Sequence, residues 1–302
     1  MVANEALRRA VERAVAPSAD ARWRSHGATG WGEAWSLADG TRRWFVKSAT
    51  GRYADMLACE ADGLAALAST GTIRVPAVAA CGREPDVAWL ALEWLDLRGS
   101  GGSVKLARAL AQLHRAPVAR GPHGERYGWH CDNWLGGTPQ RNGWSNQWCG
   151  FFRDQRLAPQ IALAHDNGFG ALARNAERLV DALDVLLDGH EPAPSLVHGD
   201  LWSGNAAVVD GGEPVVFDPA VYVGDREVDL AMTALFGGFD ADFYAVYDAS
   251  FARPAGHAMR RDLYDFYHLL NHVNLFGAGY LPRSERTLTR LLGVVDRTGR
   301  KR

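Results

Sequence analysis

Leu196-Val-His-Gly-Asp-Leu-Trp-Ser-Gly-Asn205, with Asp218 downstream of it, is the stretch whose reading decides the fold. It has the form His198-x-Asp200-x-x-x-x-Asn205, with the apolar pair Leu196-Val197 ahead and Val208-Val209 behind. A further apolar run, Val215-Val216-Phe217, leads straight into Asp218. Short strands thus bracket a turn, and the turn and the strand after it end on carboxylate or amide oxygens. Phosphoryl transfer from a nucleotide asks for this set. One carboxylate stands beside the attacking hydroxyl, and an amide oxygen with a second carboxylate holds Mg²⁺ against the phosphates. The plain alternative is a polar turn whose Asp and Asn cap backbone groups.

Working outward, 302 residues suit two lobes or one large domain. The net charge of −2, with no long basic run, argues against nucleic acid as a partner. Cys59, Cys81, Cys131 and Cys149 are widely separated and show no C-x-x-C spacing, so a reduced cytoplasmic chain is expected and a structural zinc or disulfide framework is not. No apolar run approaches the length of a membrane span, and the first residues do not read as a signal peptide.

Upstream, residues 4–16 read as a short amphipathic helix stopped by Pro17. The Gly-rich segment Gly27-Ala-Thr-Gly-Trp-Gly32 precedes a hairpin turning at Asp39-Gly40, and the backbone at Gly30 and Gly32 could approach phosphate oxygens. Lys47 closes the second strand. A helix over about 53–69 carries Glu60 on the same stripe as Leu57 and Leu64, where a carboxylate needs a partner, and Lys47 is the natural one. The alternative leaves Glu60 at the helix margin in water. Two strands follow, the second (Val87 to Leu95) nearly all apolar and therefore buried. The glycine-rich run Gly99–Gly102 after it suits a lobe boundary. In a kinase the backbone of Glu93, Trp94 and Leu95 would meet the adenine edge; otherwise this is merely a strand end.

Ser103 caps a core helix that ends near His114, a structural histidine. Residues 119–150 lack periodicity and hold Trp129, Trp134, Trp144 and Trp148 among Asp132, Asn133 and other polar groups. Such a segment suits a polyhydroxylated substrate, with Trp144 and Trp148 expected to plug the core instead. Helices are expected at about 148–166, 169–188, 240–250, 258–276 and 284–295. In Gly224-Asp-Arg-Glu-Val-Asp-Leu-Ala-Met232, Asp229 either favours the helix dipole or turns inward to brace the loop at Asp200.

Three segments carry a resemblance. His198-Gly-Asp-Leu-Trp-Ser-Gly-Asn205, Phe217-Asp-Pro-Ala220 with the run from Gly224 to Phe239, and Asp132-Asn-Trp-Leu-Gly-Gly-Thr-Pro-Gln-Arg-Asn142 resemble the fructosamine kinase (ketosamine-3-kinase) family, over nearly the whole chain. That family is similar to aminoglycoside phosphotransferases and choline kinases. The resemblance implies an α+β, bilobal protein-kinase-like fold. An N-terminal antiparallel-sheet lobe with one key helix (1–95) would bind ATP, and a mainly helical lobe (96–302) would carry catalysis and substrate. It implies Asp200 as the base at the sugar 3-hydroxyl, Asn205 and Asp218 as Mg²⁺ ligands, and Lys47 with Glu60 at the phosphates. Trp202, Asp132, Asn133 and Trp134 would contact a free or protein-bound ketosamine, in deglycation repair. Unlike many family members, this Gly-rich turn has no cysteine. No Asp-Phe-Gly or Ala-Pro-Glu is present, which argues against a phosphorylation-gated activation segment. An aminoglycoside- or choline-type kinase and a silent nucleotide-binding pseudokinase are the alternatives; the five chemical residues being present speaks against the last.

Overall fold

The computed structural model describes residues 5–40, 42–99 and 103–299. Residues 100–102, part of the expected lobe boundary, lie outside the described residues. Helix α1 (Glu5–Val15) is followed by strands β1 (Arg22–Ala28), β2 (Gly32–Asp39) and β3 (Arg42–Ala49), helix α2 (Met56–Ser69), and strands β4 (Val78–Glu84) and β5 (Val87–Glu93). The strands form one antiparallel sheet in the order β1-β2-β3-β5-β4.

Period-two alternation explains its two coats. In β5, Val87, Trp89 and Ala91 pack with Trp44 and Val46 of β3 beneath Leu7 and Val11 of α1. Ala88, Leu90 and Leu92 face the other way, against Leu57, Leu64 and Leu67 of α2. The same alternation in β3 turns Lys47, two residues from Phe45 and Ala49, toward the α2 side. Gly32 has a steric reason to be glycine, since a Cβ there would sit 1.9 Å from the Ser48 carbonyl oxygen.

The rest of the chain is mostly helical. It contains α3 (Val104–Leu113), a small hairpin of β6 (Asn133–Leu135) and β7 (Thr138–Gln140), α4 (Trp148–Phe152), α5 (Ala158–Asp166), α6 (Gly170–Asp181) and α7 (Leu183–Leu186). Then come strands β8 (Ser195–Val197), β9 (Ala206–Val209), β10 (Glu213–Val216) and β11 (Tyr222–Gly224), and helices α8 (Glu227–Leu235), α9 (Ala241–Ser250), α10 (His257–Phe276) and α11 (Leu281–Gly299). Ser103 caps α3 as expected, its hydroxyl accepting from Leu106 N at 3.2 Å. Trp148 is fully buried and donates to Tyr264 Oη at 2.9 Å, while Trp144 is partly buried against the same core.

Two expected helices are interrupted. The one at 148–166 passes through a π-helical turn, Arg153–Leu157, before Pro159. Proline has no N–H to donate back along the helix and its ring crowds the preceding turn, so the ordinary ladder cannot run through it. The wider turn buries Arg156, which donates to the Arg141 carbonyl and to Asn142 Oδ1 and stacks 3.9 Å over Tyr222. The helix at 169–188 breaks at Ala182, whose backbone leaves the helical region (φ −106°, ψ 12°).

A second buried pair fastens α8 to α10. Arg260 donates from Nε and Nη2 to the two Glu227 oxygens, each at 2.8 Å. Arg260→Met strips a buried carboxylate of its partner and is expected to cost about 3–5 kcal/mol in urea unfolding. Replacing both residues, Glu227→Leu with Arg260→Met, is expected to cost clearly less. Equal losses would assign the effect to packing and not to the orphaned charge.

Candidate active site

The loop from His198 to Asn205 leaves β8 and re-enters the fold through a single 3₁₀ turn, Ser203–Asn205, before β9. Its backbone is pinned by one side chain. Asp229, fully buried on α8, accepts from His198 N at 2.8 Å with Oδ2 and from Gly199 N at 2.9 Å with Oδ1. Behind it, His114 Nε2 donates to Asp229 at 3.1 Å, while His114 Nδ1 meets Tyr247 Oη at 2.8 Å. Arg226 Nη1 donates to the same Tyr247 hydroxyl at 2.9 Å. Burial alone would push the Asp229 carboxyl up; His114, His198 and the Gly199 N–H outweigh it and hold it below the usual range. Asp229 therefore turns inward, the second of its two expected roles, and His114 is structural as expected.

Gly199 is constrained as tightly. Its φ is +83°, and a Cβ there would lie 2.1 Å from the Ala220 carbonyl oxygen, because Ala220 N donates to the His198 carbonyl at 2.8 Å. His198 Nε2 sits 3.1 Å from the Phe217 carbonyl and its Nδ1 accepts from Asp200 N at 3.3 Å, which assigns the proton to Nε2. Burial depresses its pKa and keeps the ring neutral. The histidine thus ties the loop to the segment that delivers Asp218.

Asp200, Asn205 and Asp218 border one cleft of about 960 Å³ between the sheet and the helical part. Asn205 Nδ2 donates to the Asp200 carbonyl at 2.9 Å and to Asp200 Oδ2 at 3.3 Å, which leaves its Oδ1 without a protein donor among the described residues. Burial first, then the Asp218 charge, raises the Asp200 carboxyl to about 7. Asp218 has φ +58°, a left-handed backbone that a non-glycine residue rarely adopts and that often marks a working site. Lys47 Nζ stands between two carboxylates, 2.7 Å from Glu60 and 2.5 Å from Asp218. Burial disfavours its charge, but Asp218 and Glu60 outweigh that and raise its pKa above the ordinary value. The Lys47–Glu60 pair is therefore formed, and Glu60 is not left at a wet margin.

A profile described as fructosamine kinase matches residues 9–294. The chain belongs to the fructosamine kinase family. It is 43% identical over 264 residues to a probable ketoamine kinase of Synechocystis, covering 87% of each chain. It is 40% identical over 240 residues to a chloroplastic protein-ribulosamine 3-kinase of Arabidopsis thaliana, covering 78% of this chain and 72% of the relative. The crystal structure of a putative fructosamine-3-kinase from Haemophilus somnus superimposes with a TM-score of 0.83 at 30% identity, covering 95% and 96% of the two chains. No helix among the described residues is long and apolar enough to cross a membrane.

Within this fructosamine kinase fold the other expected site residues divide. Gly30, Gly32, Glu93, Trp94, Leu95, Trp134 and Trp202 all border the cleft. The Gly32 N–H is taken by Thr29 Oγ1 at 3.0 Å and the Trp94 N–H by the Arg43 carbonyl at 3.3 Å. Glu93 pairs through its side chain with Arg74 at 2.7 Å. Asp132 and Asn133, expected at the substrate, make hydrogen bonds within the fold. Asp132 is not part of the cleft lining, and its Oδ1 accepts from Asn142 N at 2.8 Å. Asn133 borders the cleft, but its amide donates to the Val221 carbonyl at 2.7 Å and accepts from Gln140 at 2.8 Å.

One lining residue escaped the sequence reading. Trp31 lies over the β6–β7 turn so closely that a Cβ on Gly137 would come within 2.3 Å of its ring, and it neighbours Tyr53 at 5.5 Å between centroids. Its placement between Gly30 and Gly32 was the available signal.

Because the folded pKa of Asp229 lies below its unfolded value near about 4, the stability it contributes is present at neutral pH and lost as pH falls through that region. Asp229→Asn is expected to lower stability at pH 7 by about 2–3 kcal/mol, the scale of hydrogen bonds to a charged group. The gap from the parent chain should narrow on acidification. A gap that ignores pH would show that the carboxylate's charge does not hold the loop.

Proposed function

We propose that this chain is an ATP-dependent kinase that phosphorylates the 3-hydroxyl of ketosamines. One observation carries the reading: in a single cleft, Lys47 is clamped by Glu60 and Asp218 while Asn205 is fastened to Asp200. Membership of the fructosamine kinase family supports the ketosamine as acceptor.

The donor set suits a hard divalent cation. Asn205 Oδ1 and the Asp218 carboxylate are oxygen ligands of the kind Mg²⁺ takes, and neither is exhausted by protein hydrogen bonds. Bound there, Mg²⁺ would neutralise charge on the phosphate oxygens. Asp200 accepts the proton of the attacking hydroxyl, its carboxylate steadied by the Asn205 amide. Lys47, kept protonated, would offer its ammonium to the phosphates, held in place by Glu60 at 2.7 Å. The exposed Gly30 backbone borders the phosphate end, and the segment Glu93–Leu95 with Pro76 and Leu92 forms the apolar slot for the base. Trp202, 38% exposed, and Trp134 offer ring faces to the sugar. In this reading residues 1–95 form the nucleotide lobe and 96–302 the catalytic lobe. The reducing cytoplasm suits the four unpaired thiols, and free and protein-bound ketosamines share the reacting group.

ATP consumption over a panel of fructosyl- and ribulosyl-lysine, aminoglycosides and choline tests the acceptor class. Turnover is expected with the ketosamines, and turnover confined to the other amines would overturn the reading. Asp200→Ala is expected to lose about 10²–10⁴-fold in kcat while MgATP affinity measured by calorimetry stays within a few-fold. An unchanged kcat would remove Asp200 from the base's role. Gly137→Val should displace Trp31 and raise KM for the acceptor. In the Trp31→Ala background the same change should add almost nothing, and additive losses would dissociate the two residues.

A further inference from the structure

Outside the cleft, the structure brings together three donors that the sequence scatters. The ligand atoms of Asp62, His130 and Cys131 all lie within 4.8 Å of one another. Asp62 comes from α2 of the sheet side. His130 and Cys131 come from the segment ahead of β6 on the helical side. His130 Nε2 stands 3.3 Å from Asp62 Oδ1. Cys59 lies beside this set without belonging to it, its thiol donating to the carbonyl of Asp132, the residue next to Cys131, at 3.5 Å. The other clustered set among the described residues, His190, Asp225 and Glu227, is already consumed by Tyr264 and Arg260.

We propose that Asp62, His130 and Cys131 form a zinc site, with the Cys59 thiolate or a water as fourth ligand. One imidazole, one thiolate and one carboxylate make a tetrahedral set that Zn²⁺ takes and Mg²⁺ does not. The carboxylate and thiolate together balance the ion's charge. The surroundings are built for it. Trp129 Nε1 donates to Asp62 Oδ2 at 2.7 Å, which orients the carboxylate and leaves Oδ1 toward His130. Asn142 secures the other side, its Nδ2 donating to the Cys131 carbonyl at 3.0 Å and its N–H to the Asp132 side chain at 2.8 Å.

The site sits where it can matter. Asp62 and Glu60 are two residues apart on α2 and so point to different sides of the helix. Glu60 holds Lys47 in the cleft, while Asp62 reaches the far segment. Zinc bound outside would tie α2 to the helical part and brace the helix that positions Lys47.

The test uses the intact chain in excess Mg²⁺, which occupies hard-oxygen sites, and needs no turnover assay, so it succeeds or fails independently of the kinase reading. Co²⁺ is titrated as a spectroscopic probe and then displaced with Zn²⁺. The parent chain is expected to show a thiolate-to-cobalt charge-transfer band, and Zn²⁺ to raise the melting temperature. His130→Ala and Cys131→Ser are each expected to lose roughly 100-fold in affinity. His130 is 59% exposed, so its removal leaves the fold intact. Cys59→Ser separates a protein ligand from water in the fourth position: a further loss assigns Cys59, and no loss assigns water. Absence of the thiolate band, or an affinity that His130→Ala leaves unchanged, would overturn the site.

Discussion

Asp229 confronts two costs that cancel. A buried carboxylate without donors is expensive, and so are two loop N–H groups turned away from water without an acceptor. Placing the carboxylate under His198 N and Gly199 N removes both penalties at once. The loop that carries Asp200 can then be irregular and rigid together, which ordinary secondary structure does not allow. Support continues behind the carboxylate through His114, Tyr247 and Arg226, so the loop is braced from α3, α8 and α9. The position of Asp200 in the cleft depends on that support. Gly199 is the corresponding constraint on the other face, where the Ala220 carbonyl leaves no room for a side chain.

The second determinant is charge. Lys47 lies between Glu60 and Asp218, so three ionisable groups leave a net negative site beside Asp200. Burial first, and the Asp218 charge with it, push Asp200 and Glu60 upward, while the lysine is held protonated. The left-handed backbone of Asp218 belongs to the same account. Strain at one residue persists only where neighbours impose it, and here Phe217 N bonds the Asn205 carbonyl while Ala220 N bonds His198.

The residues that gather at the cleft were legible because their requirements are local. The His198-to-Asn205 spacing, the strand ending on Asp218 and the carboxylate on an apolar helix stripe each state a need that few other arrangements meet. The long tryptophan-rich segment was not legible residue by residue. Amide and carboxylate groups bind substrates and brace loops with the same atoms, and Asp132 and Asn133 turned out to hold Asn142, Gln140 and Val221. The π-helical turn was hidden for a related reason. Its purpose, seating Arg156 over Tyr222 and beneath Asn142, depends on residues far away in the chain. Cysteine spacing gave no hint that the Cys59 thiol reaches the Asp132 carbonyl, a contact made only after α2 packs against the segment before β6.

Helix α2 links these levels. Leu57, Leu64 and Leu67 seat it on the sheet, and Gly63 brings it against Pro219 and Val221, where an added Cβ would lie 3.1 Å and 3.3 Å from their side chains. The residue next to Asp218 therefore packs directly on the helix that carries Glu60. A shift of α2 would move Glu60, loosen Lys47 and disturb the strained Asp218 together, because they share one packed contact and one ion-pair network. Rigid placement of this helix is thus a condition of the cleft's chemistry. Any contact that fastens α2 to the helical part, whether Trp129 to Asp62 or a metal beside it, acts on catalysis through position and not by touching the reacting atoms.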